Sequence, residues 1–349
     1  MRRFLYGDRE NQKIAVRIDM NGSEKEGYKV HRYAREMKNY QKLAKAGCSV
    51  VLLTHYGRKS DPDFREDLKF LSETLSKESG VPLKYIHGLD ETHVAETVSK
   101  PGIYLLKNTR SHEFEKGGGL NPLTEFFKNN FDLFINDAPA VSHRKDTTIT
   151  LSCHMPSKVG AVLIEELERL DSVKERGKTL VWGGAKLDKK KYVRELAKSG
   201  WTILLGGIPA VEFAKGHEGK LKDLMGFSHR FIEPVDWVTD KTGKIVDIGP
   251  LTQSKYEAIL QEKGGIFSGP MGKYEDGYEE SSLRLMKHCN AILGGHSGNV
   301  AHKNGLPQIL TSGGAALAYI SGEKLPGIEV FKTKTEENVQ SLPLRVCTK

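Results

Sequence analysis

Cysteine is scarce in this 349-residue chain: Cys48, Cys153, Cys289 and Cys347 are the only four, and none is paired at C-x-x-C spacing. That excludes a thiolate zinc site and a disulfide scaffold, and it fits thiols in a reducing compartment. No apolar run approaches the roughly 18–20 residues that a membrane span needs, and the opening MRRFLYGDRE has no apolar core for a leader. A cytoplasmic protein with no membrane partner is expected. The histidines show neither H-x-E nor H-E-x-x-H spacing, which argues against zinc-assisted hydrolysis. The G-x-x-x-x-G-K-[ST] loop is absent, and so is a dinucleotide fingerprint. Repeats of 20–50 residues and low-complexity segments are also missing.

What is present is a soluble composition, 38% hydrophobic and 28% charged, with 53 Lys and Arg against 45 Asp and Glu for a formal charge of +8. A basic balance draws anions, which include nucleic acid, membranes and phosphorylated metabolites. The chain has no Lys/Arg block of the tail type; its densest cluster, KLDKKK, follows a glycine pair. Small anionic ligands are therefore favoured over nucleic acid, which would require a continuous basic stripe and a steep salt dependence.

The length suggests two domains. Apolar β-rich runs alternate with helical patterns, the signature of βαβ units on parallel sheets. The patterns predict strands at 14–19, 49–54, 82–86, 102–106 and 131–136, with helices over 32–46, 67–79, 90–99 and 120–130. The amphipathic stretch after HMPSK reads as an interdomain helix over 158–174. The alternation then restarts with strands at 179–182 and 202–205, helices at 189–199, 209–215, 251–263, 278–288 and 315–321, and strands at 265–268 and 290–294. The expected architecture is α/β: two Rossmann-like parallel-sheet domains, 1–157 and 175–330, joined by that helix, with a cleft between them.

Chemistry-bearing residues follow the strands. IAVRIDMN ends on Asp19 and Asn21, CSVVLLTHYGR on His55 and Arg58, GIYLLKNTR on Arg110 and FDLFINDAPAVSHR on Arg144, while Arg32 opens the first helix. Ligands collect beyond the carboxyl ends of such strands. One arginine alone is more often a surface residue and one histidine a structural one, but several guanidinium groups at consecutive strand ends suit a small, highly anionic substrate. In GGAKLDKK, Lys186 and Lys190 lie four apart, one helical turn, so both can address one phosphate chain, whereas Lys189 and Lys191 read as a solvated charged face. The paired glycines of LVWGGAK, ILLGG, IFSGPMG and AILGGHSG let backbone approach a phosphate.

Taken in order, RIDMN, THYGR, LLKNTR, FINDAPAVSHR, WGGAKLDKK, EPVDWVTD, FSGPMGKYE and SGGAALAYISGEKLPG resemble the segments of the phosphoglycerate kinase family over nearly the whole chain. The resemblance implies a cytoplasmic glycolytic phosphotransferase, with 3-phosphoglycerate bound through Asp19, Asn21, Arg32, His55, Arg58, Arg110 and Arg144. ATP or ADP would lie on the second domain at Gly183, Lys186, Lys190, Gly206, Gly207, Pro270, Gly272, Glu275, Gly294, Gly295, Ser297 and Gly298. Arg32 and Lys190 would converge on the transferred phosphoryl group after hinge closure, and the tail 331–349 would pack back on the first domain. A monomer is expected.

Departures from the family pattern fall mainly in the nucleotide half. Its G-G-G-D-T turn reads Gly294-Gly295-His296-Ser297-Gly298, so Ser297 stands where a magnesium-holding Asp is usual; Ser268 replaces the Asn of N-G-P, and Lys107 replaces a Glu. Mg²⁺ is expected with ATP or ADP, its binding weakened by Ser297, and no metal ligand is assigned. The alternatives are a relative with a changed donor or acyl substrate and a catalytically silent protein that binds a phosphometabolite.

Overall fold

The computed structural model describes residues 10–25, 27–88, 94 and 98–333. The chain groups into two compact units, divided after Glu165 and again after Glu323, with the segment from Lys324 belonging to the first.

The first unit is built on β1 (Lys13–Arg17), β2 (Ser49–Leu53), β3 (Lys84–Ile86), β4 (Gly102–Leu106), β5 (Leu133–Asn136) and β6 (Ser157–Val159), in the order β3-β4-β2-β1-β5-β6 with every neighbouring pair parallel. All residues of β2 are buried, as expected for a continuous apolar strand covered on both faces. Alternate residues face opposite layers. Ile14, Val16 and Leu52 pack with Tyr33, Met37 and Tyr40 of α1 (Gly27–Lys45), while Ala15, Val51 and Leu53 join Phe126 and Phe127 in the opposite layer. Here α2 is Lys69–Ser79, closed by Gly80 at φ 68°, and α3 is Pro122–Asn130, opened by Pro122 and capped by the Asn121 side chain on Thr124 N. A single turn, α4 (Thr147–Thr150), follows. The register sets Arg17 level with Leu53 and with Asn136, so the carboxyl ends of β1, β2 and β5 finish together.

In α5 (Ala161–Arg176) the chain passes from the first unit into the second. The helix starts later than expected, because residues 157–159 pair with β5 as β6. Its first turn is held by buried Asp137, whose Oδ1 accepts from Leu163 N at 3.1 Å while Tyr40 OH donates to Oδ2 at 2.7 Å.

The second unit contains β7 (Thr179–Trp182), β8 (Thr202–Leu205), β9 (Phe231–Ile232), β12 (Ile266–Ser268), β13 (Ala291–Leu293) and β14 (Ile309–Leu310), in the parallel order β14-β13-β12-β7-β8-β9. An antiparallel hairpin of β10 (Trp237–Thr239) and β11 (Ile245–Ile248) lies outside that sheet. The helices are α6 (Lys190–Lys198), α7 (Gly207–Phe213), α8 (Pro250–Lys263), α9 (Glu280–Met286), α10 (His296–Lys303) and α11 (Gly313–Ile320). The fold is thus α/β with two six-stranded parallel sheets. Glycine punctuation hid α10, β14 and the last helix, α12 (Pro326–Thr333), from the pattern. Gly327 of α12 is held in the first unit, donating to Ser142 O at 2.9 Å and accepting from Asn136 Nδ2 at 2.8 Å.

Most of the helix expected at 90–99 and the tail after residue 333 lie outside the described residues. Cys48 and Cys289 are buried and not disulfide-bonded. Cys153 is disulfide-bonded, a departure from four reduced cysteines. No helix among the described residues is long and apolar enough to cross a membrane.

Candidate active site

At the carboxyl ends of β1, β2 and β4 the first unit forms a pocket of about 330 Å³, lined among others by Asn21, Gly57, Arg58, Arg110 and Arg144. Of the residues expected to grip a small acid, these arginines and Asn21 are brought together at the surface of one cavity. Asn21 Oδ1 accepts from Gly57 N at 2.8 Å, which ties the first strand end to the second. Asn108 ties in the third. Its Oδ1 accepts from Tyr56 N and Arg110 N at 3.2 and 3.0 Å, and its Nδ2 donates to Tyr56 O and Arg65 O, both at 2.7 Å. One buried amide thus fixes the backbone from which Arg110 projects.

Asp19 lies beneath this surface. Its carboxylate is buried against Lys29 Nζ at 3.0 Å, and the same ammonium donates to Asn21 O at 2.6 Å. A carboxylate so closed holds the turn in place, and its backbone N–H is taken by Tyr33 OH at 3.1 Å. Arg32 is not among the lining residues of the pocket; its Nη2 is 2.6 Å from Glu165 Oε2.

His55 is buried beside a residue that the sequence pattern passed over. Arg17, the last residue of β1 and wholly buried, donates from Nε to Thr148 Oγ1 at 3.0 Å, from Nη1 to Ile18 O and Leu53 O at 2.6 and 3.1 Å, and from Nη2 to His55 Nδ1 at 2.9 Å. A guanidinium can only donate, so Nδ1 is the acceptor and the ring proton sits on Nε2. Burial, followed by the charges of Arg17, Arg110, Arg144 and Lys29, holds the His55 pKa well below its ordinary value, so the ring is neutral. His55 Nε2 and Arg110 Nε are buried donors with no hydrogen-bond partner among the described residues. Unsatisfied donors beside several cations are what an anionic ligand would complete. Burial works against the Arg110 charge, and Asp146, 3.6 Å from Nη2, offsets it; a guanidinium stays protonated regardless.

Arg17 could have been suspected as a charge inside an otherwise apolar strand. Its compensation comes from wholly buried Glu115, which accepts from Thr148 Oγ1 at 2.5 Å, Thr148 N at 3.2 Å and Thr109 Oγ1 at 3.1 Å. Burial pushes the Glu115 carboxyl up to about 7 although Arg17 pulls it down. A raised carboxyl pKa means that the native state keeps a proton the unfolded chain has released. The stability contributed by this group is complete below the ordinary glutamate value of 4.5 and is lost as pH rises through about 7. Glu115→Gln therefore gains stability relative to wild type as pH goes from about 5 to about 8. Denaturant midpoints at several pH values check this, and a constant difference between the two proteins would refute it.

In the second unit, the loops after β7, β8 and β12 touch backbone to backbone. Gly183 N donates to Ser268 O at 3.1 Å, Gly184 N to Pro270 O at 2.7 Å and Ile208 N to Gly184 O at 3.0 Å. Two glycines are obligatory for this approach. Gly269, at φ 101°, would drive a Cβ into Gly183 O, and Gly207, at φ 53°, would drive one into Gly184 O. Gly206 and Gly207 cap and open α7; Pro270 is buried in the loop that leads to Gly272. Glu275 is exposed, 3.9 Å from His296 Nδ1.

The lysines depart from expectation. The helix begins at Lys190, so Lys186 precedes it, exposed, and the two are not one helical turn apart. Lys190 turns to Asp223 Oδ1 at 2.9 Å and to Lys220 O at 3.2 Å. Lys189, expected on a solvated face, is instead half-buried and donates to Ser268 Oγ at 2.9 Å, at the entrance of the Gly269–Gly272 loop. Burial lowers its pKa and Asp188 offsets part of that. Lys191 is exposed and pairs with Glu323.

Gly294 and Gly295 lead into α10, whose buried Ser297 accepts from Gly269 N at 3.0 Å; Gly298 follows it in the helix. The Ser297 lone pair is thus engaged with the neighbouring loop. No cluster of three or more His, Cys, Asp or Glu able to hold a metal ion occurs among the described residues. Among the described residues, the donors therefore do not fit a metal ion held by several protein carboxylates.

Known proteins place these features in context. The family model described as phosphoglycerate kinase matches residues 6–225. A phosphoglycerate kinase of Rubrobacter xylanophilus is 29% identical, covering 93% of this chain and 96% of its own length. One of Lactobacillus gasseri is 28% identical, covering 94% and 98%. Among solved structures, that of phosphoglycerate kinase from Pyrococcus horikoshii OT3 shares the fold with a TM-score of 0.78 at 24% identity, covering 93% of this chain and 96% of the other. The structure from Coxiella burnetii has a TM-score of 0.71 at 22% identity.

Proposed function

The chain belongs to the phosphoglycerate kinase family, and we propose that it transfers a phosphoryl group reversibly between ATP and the carboxylate of 3-phosphoglycerate. The observation that supports this most is the pocket at the strand ends of the first unit, lined by Arg58, Arg110 and Arg144, together with the buried, neutral His55, whose Nε2 has no hydrogen-bond partner among the described residues. Planar guanidinium groups bind phosphate and carboxylate bidentately, and the uncharged His55 Nε2–H adds direction without another charge. Arg110 and Arg144 would hold the acid, and Asn21 and Asn108 would keep the strand ends in register around it.

In the forward direction a carboxylate oxygen attacks the γ-phosphorus in line, the new O–P bond forms as the bond to the β-γ bridging oxygen breaks, and ADP leaves with that electron pair. No covalent enzyme intermediate is needed, so the protein contributes alignment and charge. Lys189 would neutralise the polyphosphate, which the side-chain-free glycines of the 183–184, 206–207 and 269–272 loops would let approach the backbone, and Arg32 would neutralise the transferred group. Water must be excluded at transfer, or hydrolysis competes. Magnesium, which the family uses with ATP, would supply further charge neutralisation on the nucleotide phosphates.

A second reading is favoured by Ser297, which stands in place of a carboxylate and is engaged with Gly269 N: a binding protein that keeps the acid pocket and lacks turnover, or an enzyme with another phosphoryl donor. Calorimetry separates the readings. Micromolar-range binding of both 3-phosphoglycerate and MgATP supports the kinase; 3-phosphoglycerate binding without MgATP binding supports the silent relative, and binding of neither removes both.

A further inference from the structure

Arg32 is the guanidinium assigned above to the transferred phosphoryl group, yet an internal anion already holds it. Glu165, in the second turn of α5, places Oε2 2.6 Å from Arg32 Nη2. The same oxygen lies 4.0 Å from Nη2 of Arg35, one turn further along α1. The three side chains are graded in exposure: Arg32 at 18%, Glu165 at 34% and Arg35 at 57%. Arg32 is thus the inner partner and Arg35 the outer one, and the carboxylate sits between them.

A carboxylate at hydrogen-bonding distance from a guanidinium competes with any phosphate oxygen for the same donors. Because the pair is only partly exposed, neither solvent nor salt cancels the attraction fully, and an incoming anion must displace it. Arg35 gives the displaced carboxylate a second cation within reach, which lowers the cost of the exchange. We propose that Glu165 is a positioning residue that occupies Arg32 as a stand-in for phosphate in the ligand-free protein and passes to Arg35 when an anionic ligand takes Arg32. The exchange of partners sets how readily Arg32 is recruited, and its consequence for turnover rests on the role given to Arg32 under Proposed function.

The test compares wild type with Glu165→Gln, Arg35→Gln, Arg32→Gln and the double variant Arg32→Gln/Glu165→Gln. Calorimetric titration with inorganic phosphate and with 3-phosphoglycerate is run beside steady-state kinetics. Glu165→Gln keeps the shape of the side chain and removes the competing charge, so both anions bind roughly two- to fivefold tighter, the range for a partly exposed ion pair. KM for the acid falls by the same factor, and the gain disappears in the double variant and shrinks at high salt. Arg35→Gln weakens binding in the wild-type background and has no such effect when Glu165 is already Gln. The proposal is overturned if Glu165→Gln binds phosphate no tighter than wild type, or if the gain persists without Arg32. Absence of turnover in wild type together with tighter phosphate binding by Glu165→Gln would remove the kinase reading and leave the internal competition standing.

Discussion

Lys189→Met is expected to lower kcat by about two to three orders of magnitude, the effect of removing one preorganised charge from a phosphoryl-transfer site. Lys190→Met is expected to lower it by about tenfold or less. The contrast follows from where the two ammonium groups point. Lys189 reaches Ser268 at the mouth of the glycine loop, while Lys190 pairs with Asp223. Lys189 is already partly desolvated, so its positive charge acts at higher effective strength on a nearby polyphosphate than an exposed lysine does. Methionine retains the volume of the buried stem, and removing a desolvated charge does not weaken the fold, so the denaturant midpoint should stay put. The reverse ranking of the two variants would assign the phosphate contact to Lys190.

Arg17→Met should destabilise the first unit by about 3–5 kcal/mol, the range for breaking a buried charged network by removing one partner. Every nitrogen of this guanidinium donates: to Thr148, to the backbone carbonyls of Ile18 and Leu53 and to His55. Its loss leaves Leu53 O and the Thr148–Glu115 pair without their charged donor and frees His55 Nδ1 to take the proton. The tautomer that presents Nε2–H is then no longer enforced, so 3-phosphoglycerate binding weakens beyond what stability alone explains. Arg17→Lys restores the charge but not the fork and should recover part of the stability without the ligand affinity. Because Arg17 and Glu115 share the network, Arg17→Met/Glu115→Gln should cost less than the sum of the single changes. A loss below about 1 kcal/mol for Arg17→Met would show that the buried network carries little.

Strands and their order of chemistry were legible because buried parallel strands write continuous apolar runs, and polar residues fall at their carboxyl ends. Residues 102–106, 179–182 and 202–205 are strands as the pattern reads. The convergence of Arg58, Arg110 and Arg144 on one pocket was legible for the same reason. Arg17 was not, because its partners lie at positions 53, 55 and 148, far along the chain. The spacing of Lys186 and Lys190 was a weaker signal, because four residues imply one helical face only inside a helix, and α6 starts at Lys190, after the turn that aims Lys189 inward. The Arg32–Glu165 pair joins two helices 133 residues apart in sequence and carries no local signal at all.

The most direct test of phosphoryl transfer between nucleotide and acid is a coupled assay of the full chain in both directions, with ATP, GTP or pyrophosphate as donor against 3-phosphoglycerate, with and without Mg²⁺. Saturable, reversible formation of an acyl phosphate that depends on both substrates, and that falls sharply in Lys189→Met, is the predicted result. No turnover with any donor, from a protein that binds 3-phosphoglycerate and is fully folded, would contradict it.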